Sequence, residues 1–127
     1  MFNRIFEIPH IKDERGGLSF LQNDGLLPFT INRAFWITNV PQGKERGHHS
    51  HRTCHELIVA VKGNFSVEIE TPEGSKIFQL SEKKSQGLMV YPHEWCRLYD
   101  FSADAVCLCL ASENYNAEGY EMEKVSH

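Results

Sequence analysis

The stretch Gly43–Gly63, GKERGHHSHRTCHELIVAVKG, sets Arg46, His48, His49, His51, His55 and Glu56 directly before the apolar run Leu57-Ile58-Val59-Ala60-Val61. That run is rich in β-branched residues and closed by Lys62-Gly63, so it reads as a buried strand. Side chains alternate along a strand, which puts His49 and His51 on one face. Two neighbouring imidazoles can ligate a metal, or one can move a proton while the other holds a substrate. On an unbroken strand His55 joins their face, while His48 and Glu56 point the other way. A bulge or strong twist is what it takes to re-aim Glu56.

The rest of the chain is punctuated into short apolar or alternating segments. Phe2–Ile11 reads as an N-terminal strand, and Asp13-Glu14-Arg15-Gly16-Gly17 turns into Leu18–Leu21. Arg33–Val40 is aromatic and β-branched and stops at Pro41-Gln42-Gly43. Asn64–Glu70 alternates cleanly, with Phe65, Val67 and Ile69 on one face, and Lys76–Leu80 returns beside it after a turn at Thr71-Pro72-Glu73-Gly74. Gly87–Tyr91, Trp95–Phe101 and Ala105–Ala111 complete the set. Ser112–Glu123, within an acidic tail that begins at about residue 113, is the one segment with a helical character. The expectation is a single domain over residues 1–127, an all-β sandwich or barrel of about nine strands with little helix.

Composition narrows the partners. A net charge of -4, with no basic run longer than a pair, argues against nucleic acid, which needs clustered Lys and Arg to neutralise phosphate. No segment approaches the roughly 20 apolar residues of a membrane span, and the start lacks a secretory apolar core. A cytoplasmic location is the expectation. Cys54, Cys96, Cys107 and Cys109 show no Cys-x-x-Cys spacing and read as buried reduced thiols.

Gly43, His49, His51, Glu56 and Gly63 match the first cupin motif, G-x5-H-x-H-x4-E-x6-G, at every interval. The chain therefore resembles the cupins, and the resemblance implies a double-stranded β-helix, or jelly roll. The second cupin motif is degenerate: Gly87–Pro92 opens it, but Trp95-Cys96-Arg97 stands where a third metal-binding His is usual. A closer resemblance covers nearly the whole chain. Arg15-Gly16, Pro28-Phe29, Arg33 before an aromatic pair, Arg46-Gly-x-His49-Ser50-His51, Trp95, Asp100-Phe101-Ser102 and Leu110–Tyr115 followed by Tyr120 are similar to the nucleotide-linked sugar 3,4-ketoisomerases, the WxcM-like branch of the RmlC-like cupins.

That resemblance implies a homodimer acting without metal on dTDP-4-keto-6-deoxyglucose, with the His-x-His pair in the sugar pocket, in deoxysugar and cell-surface glycan biosynthesis. An aromatic-rich sheet in need of cover agrees with a dimer. Three positions depart from the family: His-Ser-His replaces His-Ala-His, Phe35-Trp36 lacks the usual Tyr, and Glu56 stands where Gln is common.

Within this reading His49 and His51 are the catalytic candidates, one of them taking the proton next to the ketone and returning it to the neighbouring carbon through an enediol. An imidazole suits the task because its ordinary pKa of about 6.5 leaves a usable base near neutral pH. Arg46, Arg33 and Arg97 are candidate diphosphate binders, since a guanidinium meets phosphate oxygens in pairs. Trp36 is a candidate base-stacking residue, though packing competes for it and for Phe35. Tyr91 and Tyr99 are the candidates for the missing phenol, and His10 and His93 read as surface residues.

Two other classes remain open on sequence grounds. One is a metal-dependent cupin holding a divalent ion on His49, His51 and Glu56. The other is a cupin that binds a nucleotide sugar without turning it over. A 3,5-epimerase, using the same proton abstraction beside a ketone, is an enzymatic variant.

Overall fold

A computed structural model of the chain describes residues 4–121. Twelve short strands run through them: β1 Ile5–Glu7, β2 His10–Asp13, β3 Gly16–Ser19, β4 Arg33–Thr38, β5 Arg46–His51, β6 Glu56–Lys62, β7 Asn64–Thr71, β8 Gly74–Ser81, β9 Gln86–Val90, β10 Trp95–Tyr99, β11 Val106–Ala111 and β12 Tyr120–Glu121. They make two five-stranded antiparallel sheets, ordered β1-β9-β6-β11-β4 and β12-β5-β10-β7-β8, with β2 and β3 as a separate hairpin. This is the jelly roll that the motif spacing implies. None of the described residues forms a helix long and apolar enough to cross a membrane.

The alternating pattern of Asn64–Thr71 is used as such: Phe65, Val67 and Ile69 are buried between the sheets. They meet Ile58 and Leu88 from the facing sheet and Leu98 from neighbouring β10 in one core. The continuous apolar run of β6 has a different cause. Ile58 and Ala60 enter that inner core, whereas Leu57 and Val59 enter a second one on the sheet's outer face. Leu21, Leu27, Phe29 and Ile31 from the segment between β3 and β4 close over it. A strand covered on both faces has no solvent-facing register and reads as unbroken hydrophobicity. At about 25 cal/mol per Å2 of apolar surface withdrawn from water, the buried side chains Leu57, Ile58, Val59 and Ala60 stabilise the fold from both faces of β6.

Two expectations are corrected here. Ser112–Glu123 is not helical over its described part: it holds one 3-10 turn at Ala117–Gly119, capped by the Asn116 side chain, and the short strand β12. Tyr120 pairs with His51 and Glu121 with Ser50, so cross-strand hydrogen bonding to β5 wins over local helix preference. The tail beyond 121 lies outside the described residues. So does the start of the expected Phe2–Ile11 strand, whose remainder divides at Ile8-Pro9 into β1 and β2. The four cysteines are buried and unpaired, as their spacing suggests. Burial in apolar surroundings pushes the Cys96 thiol up, far from a reactive thiolate.

Candidate active site

The stretch Gly43–Gly63 is not one strand. β5 ends at His51 in one sheet, residues 52–55 cross over, and β6 begins at Glu56 in the other. The crossing resets the alternation. Glu56 shares parity with inward Ile58 and turns into the barrel, while His55 turns to the outer core and packs against Phe29 and Tyr91 at 5.9 and 5.7 Å between ring centres. The expectation that His55 faces with His49 and His51, and that Glu56 faces out, fails because it needs an uninterrupted strand.

A β-bulge sets the aim of the other residues. On β10, Cys96 pairs with His49 but Arg97 pairs with Gly47, leaving His48 as the extra residue. Gly47 and His48 both adopt positive φ, 89° and 62°. A Cβ on Gly47 would lie 3.0 Å from the Cys96 carbonyl oxygen, so glycine fits here for space as well as conformation. The inserted residue brings Arg46 and His49, an odd number of positions apart, onto the inward face beside Leu98 and Cys96. His48 goes the other way, edge-on to Trp95 and 2.7 Å from the Glu45 carboxylate.

Inward-facing residues line a cavity of about 540 Å3, with Arg46, His49, Glu56, Phe35 and Tyr120 in its wall. His49 donates Nδ1–H to the Gly47 carbonyl at 3.0 Å, because a carbonyl can only accept. Its Nε2 therefore carries the free lone pair. Burial, followed by the neighbouring His51, holds the His49 pKa below the ordinary imidazole value, which keeps the ring neutral near pH 7. His51 stands behind it, edge-on at 5.0 Å and 2 % exposed. Its Nε2 meets Glu56 Oε2 at 3.2 Å, which fixes the ring from the opposite sheet.

Arg33 lies beside the cavity, against two of its lining residues. Its guanidinium sits over the Phe35 ring at 5.1 Å and donates to the Tyr120 hydroxyl at 3.2 Å, while its Nε is buried without a partner among the described residues.

Other candidates lie elsewhere. Arg97 points to the outer face of its sheet, bound to Glu68 at 2.6 Å and Glu45 at 2.7 Å and stacked on Tyr99. Parity explains this, since its strand neighbours Cys96 and Leu98 face in. Two carboxylates already neutralise it, so its geometry does not carry a diphosphate-binding role. Trp36 is 66 % exposed on the outer face of edge strand β4, away from the cavity that Phe35 and Ile37 line. Tyr91 belongs to the second core and Tyr99 to the outer face, so neither supplies the cavity with a phenol. Tyr115 and Tyr120 do. The sequence marks both within the run similar to the ketoisomerases, but nothing in their spacing shows that β12 folds back onto β5. His10 and His93 are at the surface.

A closed jelly roll with an inward His-x-His pair on one sheet and a carboxylate on the other defines a cupin. The chain belongs to the FdtA family (WxcM-like, C-terminal), whose model matches residues 1–126. It is 30% identical over 121 residues to the TDP-4-oxo-6-deoxy-alpha-D-glucose-3,4-oxoisomerase of Aneurinibacillus thermoaerophilus, an alignment spanning 94% of this chain and 86% of that protein. It is similar to the sugar 3,4-ketoisomerase QdtA of Thermoanaerobacterium thermosaccharolyticum, solved in complex with TDP, at 31% identity and a TM-score of 0.89, covering 94% of this chain and 86% of QdtA. A mutant of QdtA has been solved in complex with TDP-4-keto-6-deoxyglucose, with the same TM-score of 0.89 at 30% identity over 97% of this chain and 90% of that one. The TDP-fucose-3,4-ketoisomerase WlaRA of Campylobacter jejuni is 25% identical, with a TM-score of 0.86 over 94% of this chain and 87% of its own.

Proposed function

We propose that this chain is a sugar 3,4-ketoisomerase that interconverts TDP-4-keto-6-deoxyglucose and its 3-keto isomer. The observation that carries the reading is the state of His49: Nδ1 is committed to the Gly47 carbonyl, so a neutral Nε2 serves the cavity as base. His49 takes the proton from carbon 3 and returns it to carbon 4. His51, locked by Glu56, packs behind His49 and keeps the base in place. Arg46, in the cavity lining, is the diphosphate candidate that the fold leaves in position, while the Arg33 guanidinium is turned to Tyr120. The similarity to ketoisomerases with TDP or a TDP-sugar bound supports the substrate class.

The reaction moves hydrogen within one molecule and needs no redox cofactor. We assign it no metal, because proton transfer by an imidazole base is sufficient for the isomerisation. Glu56 restores a carboxylate where the family commonly has Gln, but its oxygen serves as the acceptor for His51. A homodimer is part of the same reading, supported by the apolar side chains of Ile11, Leu18 and Trp36 that stand exposed on the hairpin and on β4. The four unpaired thiols fit a reducing, cytoplasmic setting.

The test is incubation of chelator-treated protein with TDP-4-keto-6-deoxyglucose in deuterated water, followed by proton NMR. The expected product is the 3-keto sugar with deuterium at carbon 4. A substrate that stays unexchanged until a divalent ion is added overturns the metal-free mechanism, and binding without exchange under any condition overturns the enzyme.

A further inference from the structure

We propose that Tyr120 is the acid that carries protons between the two sugar oxygens, with Arg33 as its positioning residue; the proposal rests on the ketoisomerase reading. Transfer of hydrogen between carbons 3 and 4 accounts for only half of the chemistry. The carbonyl oxygen on carbon 4 must gain a proton and the hydroxyl on carbon 3 must lose one. Histidine 49 is occupied with the carbon-bound proton during that time, and His51 is tied to Glu56 through Nε2. A further group is required at the cavity.

Tyr120 is placed for it by backbone pairing. It stands directly across from His51 in the β5–β12 pair, and cross-strand partners project to the same face. Its ring lies 4.8 Å from that of His49 and 4.7 Å from that of His51, and it lines the cavity. The segment is anchored on both sides: Arg52 N–H donates to the Gly119 carbonyl at 2.9 Å, and the Ser50 hydroxyl donates to Glu121 at 3.3 Å.

The hydrogen bond from Arg33 decides the polarity of the phenol. A guanidinium has donors and no acceptor, so at the 3.2 Å contact the Tyr120 oxygen accepts. The phenolic hydrogen is left to be donated elsewhere, and a cation stands beside the oxygen that becomes negative once it is given up. The Phe35-Trp36 pair lacks the phenol usual in the family, and Phe35 lines this same cavity.

The cycle balances without any co-reactant. His49 Nε2 takes the proton from carbon 3, and the bond's electron pair forms the carbon 3–carbon 4 double bond. The carbonyl oxygen on carbon 4 takes the phenolic proton, giving the enediol and a tyrosinate held by Arg33. The tyrosinate then takes the proton from the oxygen on carbon 3, the carbonyl forms there, and carbon 4 takes the proton from His49. Carbon 3 is oxidised, carbon 4 is reduced, and both side chains return to their starting states.

The experiment compares wild type, Tyr120→Phe and protein carrying 3,5-difluorotyrosine at position 120, each checked for an unchanged melting transition. Turnover of TDP-4-keto-6-deoxyglucose is followed by NMR across pH. General acid catalysis of this kind predicts a drop in kcat of about 10²-fold or more for Tyr120→Phe, with KM within a few-fold. Fluorination makes the phenol more acidic and should move the basic limb of the kcat profile to lower pH. A Tyr120→Phe enzyme with wild-type kcat, or a basic limb that fluorination leaves in place, overturns the proposal while the ketoisomerase stands. A wild type that neither isomerises nor exchanges the sugar overturns the underlying reading, and Tyr120's role falls with it.

Discussion

His51 Nε2 and Glu56 Oε2 lie 3.2 Å apart and belong to different sheets, so five residues of chain bring the two halves of the barrel into contact at the site. Both are nearly inaccessible, at 2 % and 4 % exposure. Removing one partner of a buried pair is costly because the other is left unsatisfied, whereas an isosteric acceptor can take over.

Glu56→Gln should therefore keep the fold and hold kcat/KM within about tenfold of wild type, a change of about 1.4 kcal/mol. The amide oxygen still accepts from His51. Glu56→Ala strands the imidazole N–H and should lower stability by about 1–3 kcal/mol in urea unfolding. Loss of all activity in Glu56→Gln, restored by no other change, points instead to a carboxylate that binds a metal.

His49→Asn should reduce kcat by about 10²–10⁴-fold, the usual contribution of a positioned general base. The melting temperature should stay close to wild type, because the residue lines a cavity rather than filling the core. Substantial activity in this variant moves the base to His51. His55 is no longer a candidate, since it faces the outer core.

The acid limb of kcat/KM should fall below pH 6.5, because burial holds the folded His49 pKa under the ordinary imidazole value of about 6.5. Activity persists as pH drops to that value and declines only beneath it. Stability follows the same sign. Above the unfolded value neither state is protonated and the contribution of His49 is intact. As pH falls through that value toward the lower folded one, the unfolded chain takes up the proton first and stability is lost. Titration of the His49 ring by NMR, with urea melts at matched pH, checks both.

Gly47→Ala should be disproportionately harmful for a one-methyl change. An L-residue at φ 89° is strained by roughly 1–2 kcal/mol, and its Cβ presses on the Cys96 carbonyl. Relief comes most directly by flattening the bulge, which rotates His49 off the inward face. Turnover should drop by more than stability accounts for, as kcat and thermal unfolding measured on one preparation will show.

Much of this was legible in the residues. The period-two run Asn64–Thr71, the apolar β6 and the turn residues between them specify antiparallel strands directly. The spacing of Gly43, His49, His51, Glu56 and Gly63 implied the right barrel even where strand parity argued against Glu56. Parity failed because it assumes continuity, and two breaks in continuity build this site. One is the inter-sheet crossing at 52–55, and the other is the extra residue at His48. Neither leaves a periodic trace. Arg97 shows the same limit: its motif position is legible in the sequence, but its face, opposite to that of Cys96 and turned to Glu68, is not. Tyr120 depended on a long-range pairing that no local pattern records.

The contact between His51 and Glu56 also bears on how the protein loses activity. A site held on one rigid sheet can survive while distant parts of a fold open locally. Here the support of the His49–His51 pair spans the interior, so an opening that separates the sheets also parts His51 from Glu56. Inactivation on heating then has no partly open, still-working stage to pass through. For this chain, residual turnover is a gauge of how many molecules keep their two sheets closed.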